Sequence, residues 1–465
     1  MAKLKFAGIA ALTLSVLLSA TSVLGAGWWD STFDSDGFAT LSFTNFDDNL
    51  LSTAVQSDGK VVAVGLSQTS SSSPNNNEWA IARFNANGTL DSSFGTGGKV
   101  RPTLTTGSDV LRGVALQSDG KIVVVGNTQP VSNTYQFTVG RLNSDGTFDT
   151  TFDSDGLANL GAVDSYAFAV AIQPDQKIVV AGKAKANIAD TTYDLVLARF
   201  ESNGALDSTF GTSGVVTTQL SSSDETPASV LVQSDGKIVV AAYGGPSSSV
   251  DSYVLRYTSS GVLDTSFSSD GIEPDSLGSG SHYARGLTIQ GDGKLLVVGQ
   301  TYVGSVPDSF VARYNTTGTP DSTFGTSGIS VFAFSGDWEN TNGVVHQPDG
   351  KINLFGSVNK ASSNHGFIAR LLADGSVDPS FGCSGLETRL EGTSTIFSDG
   401  ELLSGGQIVV GGYIQSSDGT GRNFAVAQFD PSIARPTACS GSSTSTTSTS
   451  TSTTSTSTTT TTTLA

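Results

Sequence analysis

Residues 117–126 read Gln-Ser-Asp-Gly-Lys-Ile-Val-Val-Val-Gly, and this decapeptide decides the fold. Asp119 and Gly120 tolerate the positive φ angles of a tight hairpin, so 118–120 reads as a turn between two strands. Residues 122–125 are apolar without alternation, the signature of a strand covered on both faces. Working outward, 111–117 is the strand entering the turn, and 136–142 reads as the next strand. Residues 99–104 read as a strand opening the unit. The unit is then four antiparallel strands, and no helical period is visible in it.

The same unit recurs along the chain. Gln-Ser-Asp-Gly-Lys begins at Gln56, Gln117 and Gln233, with variants at Gln173, Gln290 and Gln347 and a degraded copy at 407–411. A block Asp-x-x-Phe-x-x-x-Gly begins at Asp30, Asp91, Asp149, Asp207, Asp264, Asp321 and Asp378, at intervals of 57 to 61 residues. An apolar run ends in Arg83, Arg141, Arg199, Arg256, Arg313 and Arg370, with Gln428 at the seventh place. Seven repeats of about 58 residues, each of four antiparallel strands, predict an all-β chain folded as a seven-bladed β-propeller. A linear β-solenoid repeats over fewer residues and is the weaker fit. The strand near 38–43 either opens the first blade or completes the last one and closes the ring.

The ends read differently. Lys3 and Lys5, an apolar stretch over 6–18 and the small residues Gly25 and Ala26 predict a signal peptide over 1–26. Residues 27–441 form the propeller, and the Ser/Thr tract within 442–465 has nothing to bury and is expected to be disordered, a spacer or a glycosylated stalk. No later apolar segment follows, so the mature chain is expected to lack a transmembrane span. It is therefore expected to be secreted or held at the cell surface, and monomeric. The chain has 465 residues with 24 Lys+Arg against 42 Asp+Glu, a net charge of -18. Such a chain is a poor partner for nucleic acid, because phosphate contact needs Lys and Arg.

The sequence Leu-Asp-x-x-Phe-Gly-x-x-Gly, then Gln-x-Asp-Gly-Lys-Ile-x-Val-x-Gly, then Ala-Arg-Phe-x-x-x-Gly resembles the bacterial delta-60 repeat family over about residues 28–430. That resemblance implies a β-propeller on secreted or surface proteins with no established activity. The last unit departs from it, lacking the Asp-Gly-Lys turn and the Arg.

Residues present in every unit are expected to be scaffold, since an enzyme's single centre must break the repeat. Each repeat Arg precedes an Asp by eight residues: Arg83 and Asp91, Arg141 and Asp149, Arg199 and Asp207, Arg256 and Asp264, Arg313 and Asp321, Arg370 and Asp378. An ion pair bracing the turn after the fourth strand is predicted, the rival being two separately solvated groups. In the last unit Gln428 replaces Arg and Pro436 stands at the Asp position, so both partners are expected to be lost together. Asp34 and Asp36, with Asp153 and Asp155, raise calcium, which needs six to eight oxygens. The other copies read mostly as glycine turns, and no other cofactor is expected. His282, His346 and His365 are too dispersed to suggest a zinc site. Cys383 and Cys439 are expected to form a disulfide pinning the C-terminal segment to the seventh blade.

Function should lie where the units differ. The third-to-fourth connections, such as 67–78, 127–135, 183–193 and 357–365, vary in every unit and emerge on one face. The first-to-second connections, as around 279–283 and 336–342, vary as well. Trp79, Tyr135, Tyr193, Tyr243 and Tyr302 border the former and Tyr283 and Trp338 lie in the latter, and aromatic rings beside polar residues stack on sugars or anchor proteins. A non-catalytic binding scaffold for a protein or glycan is the expected function. A polysaccharide hydrolase or lyase and a structural envelope or matrix component are the alternatives.

Overall fold

The computed structural model describes residues 29–70, 77–161, 164–246, 248–275, 277–302, 306–334, 338–419 and 421–432. The expected signal peptide, the Ser/Thr tail, Pro436 and Cys439 lie outside the described residues. The described chain is seven four-stranded antiparallel sheets arranged as a seven-bladed β-propeller, without helices. Accordingly, no helix among the described residues is long and apolar enough to cross a membrane.

The innermost strands surround the axis: Asp48–Val55, Val110–Leu116, Ser165–Ile172, Glu225–Val232, Ser281–Ile289, Glu339–His346 and Ser394–Leu402. The next strand of each blade carries the apolar Ile-Val-Val type run and is buried on both faces. Phe33, Phe94, Phe152, Phe210, Phe267, Phe324 and Phe381 of the Asp-x-x-Phe block are all fully buried, which explains their recurrence.

Blade phase differs from the sequence reading of 99–104 as an opening strand. Lys99–Val100 pairs with Ile81 and Ala82, so it is the short outer edge of the preceding blade. The same shift runs round the ring. Phe38–Leu41 pairs with Arg422–Phe429, from Phe38 opposite Ala427 to Leu41 opposite Phe424, and completes the seventh blade. Joining the two ends of the chain in one sheet ties the last blade to the first and closes the ring, leaving only short edge strands.

Two expected variable loops are largely strand. Ile122–Val131 and Thr134–Leu142 leave a two-residue hairpin with Asn133 at φ 61°, and Ile352–Lys360 and Ser363–Leu371 turn through Ala361 and Ser362 at φ 50° and 68°. The left-handed pair Ala361 and Ser362 matches the twist of the strands it joins.

Every innermost strand also carries a β-bulge against its neighbour. At blade 2 the bulge drives the Val110 carbonyl so close to Gly126 that a Cβ there would lie 2.0 Å from the oxygen. The glycine that ends the Val-Val-Val run is thus the counterpart of the bulge.

Candidate functional site

The repeat residues form a clamp between blades. Arg83 Nε donates to Asp91 Oδ2 at 2.7 Å, and both side chains are buried. Arg141, Arg199, Arg256, Arg313 and Arg370 are within 2.8 Å of Asp149, Asp207, Asp264, Asp321 and Asp378. Each guanidinium also lies 4.5–4.7 Å from the centre of its own unit's phenylalanine ring, Phe94 for Arg83 and Phe210 for Arg199. Five of them reach onward: Arg83 Nη1 donates to the Ser144 carbonyl in the next blade, and Arg199 Nη1 to Ser259, each at 2.5 Å. Lys60, Lys121, Lys177, Lys237 and Lys294 of the hairpin motif bind the same Asp from the other side at 2.8–3.2 Å. Burial raises the carboxyl pKa of Asp91. Hydrogen bonds from Ser93 and Lys60 and the charge of Arg83 more than offset this and hold it well below the usual carboxylate range.

The seventh blade does not lose this arrangement, contrary to the sequence reading. Asp30, contributed by the N-terminal segment, accepts Gln428 Nε2 at 2.9 Å and donates its own N–H to the Gln428 carbonyl. The Asp is supplied from the other end of the chain because the ring closes there, and a neutral Gln replaces the guanidinium.

The calcium candidates do not converge. Asp34 and Asp36 lie in the N-terminal closing segment, and Asp153 and Asp155 lie in blade 2, in the connection to its outer strand Leu157–Asn159. Asp36 Oδ2 faces Arg389 at 3.2 Å, while Asp155 Oδ1 accepts Leu157 N at 2.9 Å. Asp34 and Asp153 take φ 44° in their turns. Among the described residues no group of three or more His, Cys, Asp or Glu side chains is placed to hold a metal. The histidines stay apart: His282 is buried beside the Gly278 carbonyl, and His346 lines the axis.

The axis is where the repeat breaks. At each bulge one residue is left out of the pairing: Leu51, Arg112, Phe168, Ala228, Arg285, Asn342 and Ser398. All seven line an axial cavity of about 900 Å³. In six units this residue precedes the repeat's Gln by five positions, and its identity changes from unit to unit. Sequence reasoning missed the ring by looking in the loops, although that fixed offset marks it.

At the end of the ring where the innermost strands begin, the expected aromatics form two rows, which meet the cavity lining at Tyr243 and, through Arg112, at Tyr166. Tyr135 lies 4.9 Å from Tyr166, and Tyr166 lies 5.7 Å from Tyr193. Tyr243, Tyr283, Tyr302 and Trp338 follow at 5.2, 5.7 and 6.4 Å along blades 4 to 6. Trp338 is exposed and the tyrosines are half-buried. Trp79 is the exception. It is fully buried, its Nε1 donates to the Asn127 carbonyl at 3.2 Å, and it packs on Gly140. It is a core residue between blades 1 and 2, because it alternates inward on its strand. Tyr166 and Phe168, absent from the sequence selection, sit at the centre of the first row.

Two acids of the seventh blade, Asp399 and Glu401, also line the cavity. Asp399 Oδ2 accepts Ser52 Oγ and Thr53 N, both at 2.8 Å, and so ties the last blade to the first. Burial raises its pKa. Burial and the neighbouring Asp399 push Glu401 up to about 8.

Comparison with known proteins places the repeat. Residues 56–94, 117–152, 173–210, 233–267, 290–324 and 347–381 match the family model described as "Domain of unknown function (DUF5122) beta-propeller". No curated protein matches. Among solved structures, polysaccharide lyase Uly1 is similar at 11% identity and TM-score 0.45, over 84% of this chain and 91% of that one. A protein of unknown function from Dyadobacter fermentans follows at 12% and 0.43, over 85% and 99%. A glucose dehydrogenase stands at 10% and 0.39, over 84% and 99%. Six repeats that carry the family's pattern, on a closed ring of seven four-stranded sheets, make the chain a repeat β-propeller.

Proposed function

We propose that the protein is exported, secreted or held at the cell surface, and acts as a non-catalytic binding module that takes a protein or glycan at the variable mouth of its ring. The likeness of its repeat to the delta-60 family is part of this reading. One observation carries it. The repeat's charged residues are engaged in clamps, whereas the seven bulge residues around the axis all line one cavity and change from blade to blade. Variable side chains on a rigid ring are the usual ground for recognition.

The test is a binding screen of the full chain against glycans and surface extracts, with a Tyr302→Ala/Trp338→Ala double variant beside it. Saturable binding weakened about tenfold or more by the double variant is expected, as for exposed aromatic anchors at an interface. No saturable ligand for a well-folded chain would leave a structural envelope or matrix role in its place.

A second reading, a polysaccharide hydrolase or lyase, is favoured by Glu401. Glu401 lines the cavity at an exposed position with its carboxyl pushed up to about 8, the direction a general acid needs. Release of new chain ends from a polysaccharide, abolished by Glu401→Gln, would put this reading first.

The Cys383–Cys439 disulfide belongs to the same exported setting. Cys383 follows Phe381 in the turn before Leu386–Arg389, the outer strand of blade 6, so the bond would pin the C-terminal segment to blade 6 rather than to the seventh blade, as the sequence reading had it. Maleimide labelling of the unreduced, denatured chain is expected to find no free thiol. Reduction is expected to lower stability by about 3–4 kcal/mol on the chain-entropy account. Two labelled thiols in the unreduced chain would exclude the bond.

A further inference from the structure

Arginine occupies two settings in this ring. In the clamps, Nε meets a carboxylate, and in most of them Nη1 meets a carbonyl and Nη2 a hydroxyl. Arg112 and Arg285, the two cationic bulge residues, have no carboxylate within ion-pair distance among the described residues, and neither has Lys183, on which Asp224 and Asp164 act only from farther off. Arg112 donates through Nη1 to Asn127 Oδ1. Lys183 Nζ has Thr226 Oγ1 at 3.4 Å. The Nε of Arg285 is buried without an acceptor.

All three rest on aromatic faces instead. Arg112 lies 5.1 Å from the Phe168 ring centre and 5.8 Å from that of Tyr166. Lys183 lies 4.7 Å from Tyr193 and 5.7 Å from Tyr166. Arg285 lies 5.5 Å from Tyr243 and 5.7 Å from Tyr283. Burial lowers the pKa of Lys183 and takes that of Arg112 down to about 10. A cation removed from water without a counter-charge is costly, and an aromatic face offsets only part of that cost. An arriving anion supplies the missing charge and uses the free N–H donors, bidentately on a guanidinium.

The surroundings select the anion's carrier. Asp164 accepts the Tyr193 hydroxyl at 2.5 Å and Tyr135 N at 3.2 Å, and pairs with Lys185 at 3.0 Å, so it holds the tyrosine row in place. Tyrosine faces beside cations suit a ring that carries a charge. An acidic peptide carries its carboxylates on flexible side chains and brings no sugar ring to lie against the tyrosines. Nucleic acid is disfavoured by a chain of net charge -18.

We propose that the cavity mouth between blades 2 and 3 binds an acidic polysaccharide, seating a uronate carboxylate or a sulfate on Arg112 and Lys183 with the sugar against Tyr135, Tyr166 and Tyr193. Arg285, across the same cavity, receives the next charged sugar. The inference rests on the binding reading above and names its ligand class.

The experiment is calorimetric titration of the full chain with polygalacturonate, dextran sulfate, neutral dextran and polyglutamate, at low and at physiological salt. It is repeated with Arg112→Gln/Lys183→Gln, with Arg285→Gln, and with Arg101→Gln as a control outside the mouth. Polygalacturonate or dextran sulfate is expected to bind about tenfold or more tightly than dextran, and the double variant to lose about tenfold or more. Added salt is expected to weaken binding. Arg285→Gln is expected to weaken the acidic polysaccharides, less than the double variant does, and Arg101→Gln to change nothing. Which acidic polymer binds tells carboxylate from sulfate.

If the double variant fails to fold, the intact chain still decides, through the dextran comparison and tyrosine fluorescence during titration. Dextran binding as tightly as the acidic polymers would overturn the proposal, as would an unchanged affinity in a folded double variant. Equal binding of polyglutamate with the same sensitivity would replace the glycan by an acidic protein. Failure of every acidic polymer, while a ligand lost in Tyr302→Ala/Trp338→Ala is found, removes the acidic class and leaves the binding module. Failure of all ligands removes both.

Discussion

A chain lacking residues 29–41 is expected not to form the closed ring. This segment does more than complete a sheet. Trp29 packs at 5.8 Å from Phe397 and 5.7 Å from Phe429, and Phe38 belongs to the same cluster of blades 6 and 7. Phe33, Ala39 and Leu41 belong instead to the cluster holding Leu50, Val61 and Phe84 of blade 1. The segment is thus a wedge between the first and last blades as well as an outer strand. Asp34 N adds a hydrogen bond to the Asn87 carbonyl at 2.8 Å. Losing four large buried side chains costs roughly 6–12 kcal/mol at about 1.5–3 kcal/mol each. That is comparable with the whole stability of a folded domain, about 5–15 kcal/mol. Circular dichroism and gel filtration should find an expanded or aggregated chain with no cooperative urea transition. Truncation after residue 441, which removes the Ser/Thr tract alone, is expected to leave the midpoint unchanged. A cooperative, compact product of the first deletion would mean that the remaining blades hold the ring without a closing strand.

Most of this architecture was legible because it is local and repeated. The hairpin at Ser118, Asp119 and Gly120 and the offset of eight between Arg83 and Asp91 are short-range features, and each is written at least six times. Blade phase was not legible, because a hydrophobic pattern records strands but not which sheet a strand joins. Lys99–Val100 looks the same whether it ends one blade or begins the next. Asp30 was misjudged for the same reason: its partner Gln428 lies 398 residues away. Trp79 was assigned to a loop by its neighbours in sequence, yet strand alternation turns it into the core between two blades. The bulge ring lay hidden in plain residues. Arg112 and Arg285 stand five before Gln117 and Gln290, but a bulge leaves no composition of its own, and only the unpaired register aims both side chains at the axis.

The clamp makes the second large prediction, and it also decides how the ring responds to acid. Asp207→Ala is expected to cost about 3–5 kcal/mol, since it leaves Arg199 and Lys177 without their common carboxylate in a buried site. It also strips Thr209 N of its acceptor, Asp207 Oδ1 at 3.0 Å. Arg199→Ala should cost less, about 3 kcal/mol, because Lys177 still neutralises Asp207 at 2.8 Å. Arg199→Lys should recover little, since an ammonium does not serve the Asp207 carboxylate and the Ser259 carbonyl together. Lys351→Ala is the control. Its partner Asp349 is exposed, and a pair of that kind is worth about 0–1 kcal/mol. Urea midpoints read all four. An Arg199→Ala midpoint equal to the parent's would reduce the clamp to solvated surface charge. Acid reaches the same interactions together. The carboxyls of Asp91, Asp149, Asp207, Asp264 and Asp321 are all held well below their usual range. Burial opposes this in each, and hydrogen bonds and the neighbouring cations prevail. A carboxyl whose pKa is lower in the folded chain than in the unfolded one stabilises the fold above the unfolded value, about 3.9, and loses that contribution as the pH falls below it. Five such groups together forfeit about 7 kcal/mol by about pH 3. These five groups therefore add little pH dependence near neutrality and are expected to unfold the ring cooperatively between about pH 4 and pH 2, taking up several protons, while the raised carboxyls of Glu401 and Asp399 act the other way and cost stability as the pH rises above their unfolded values. Replacing one of the five carboxylates should flatten that acid limb by about one proton, which a pH titration of the urea midpoint measures directly.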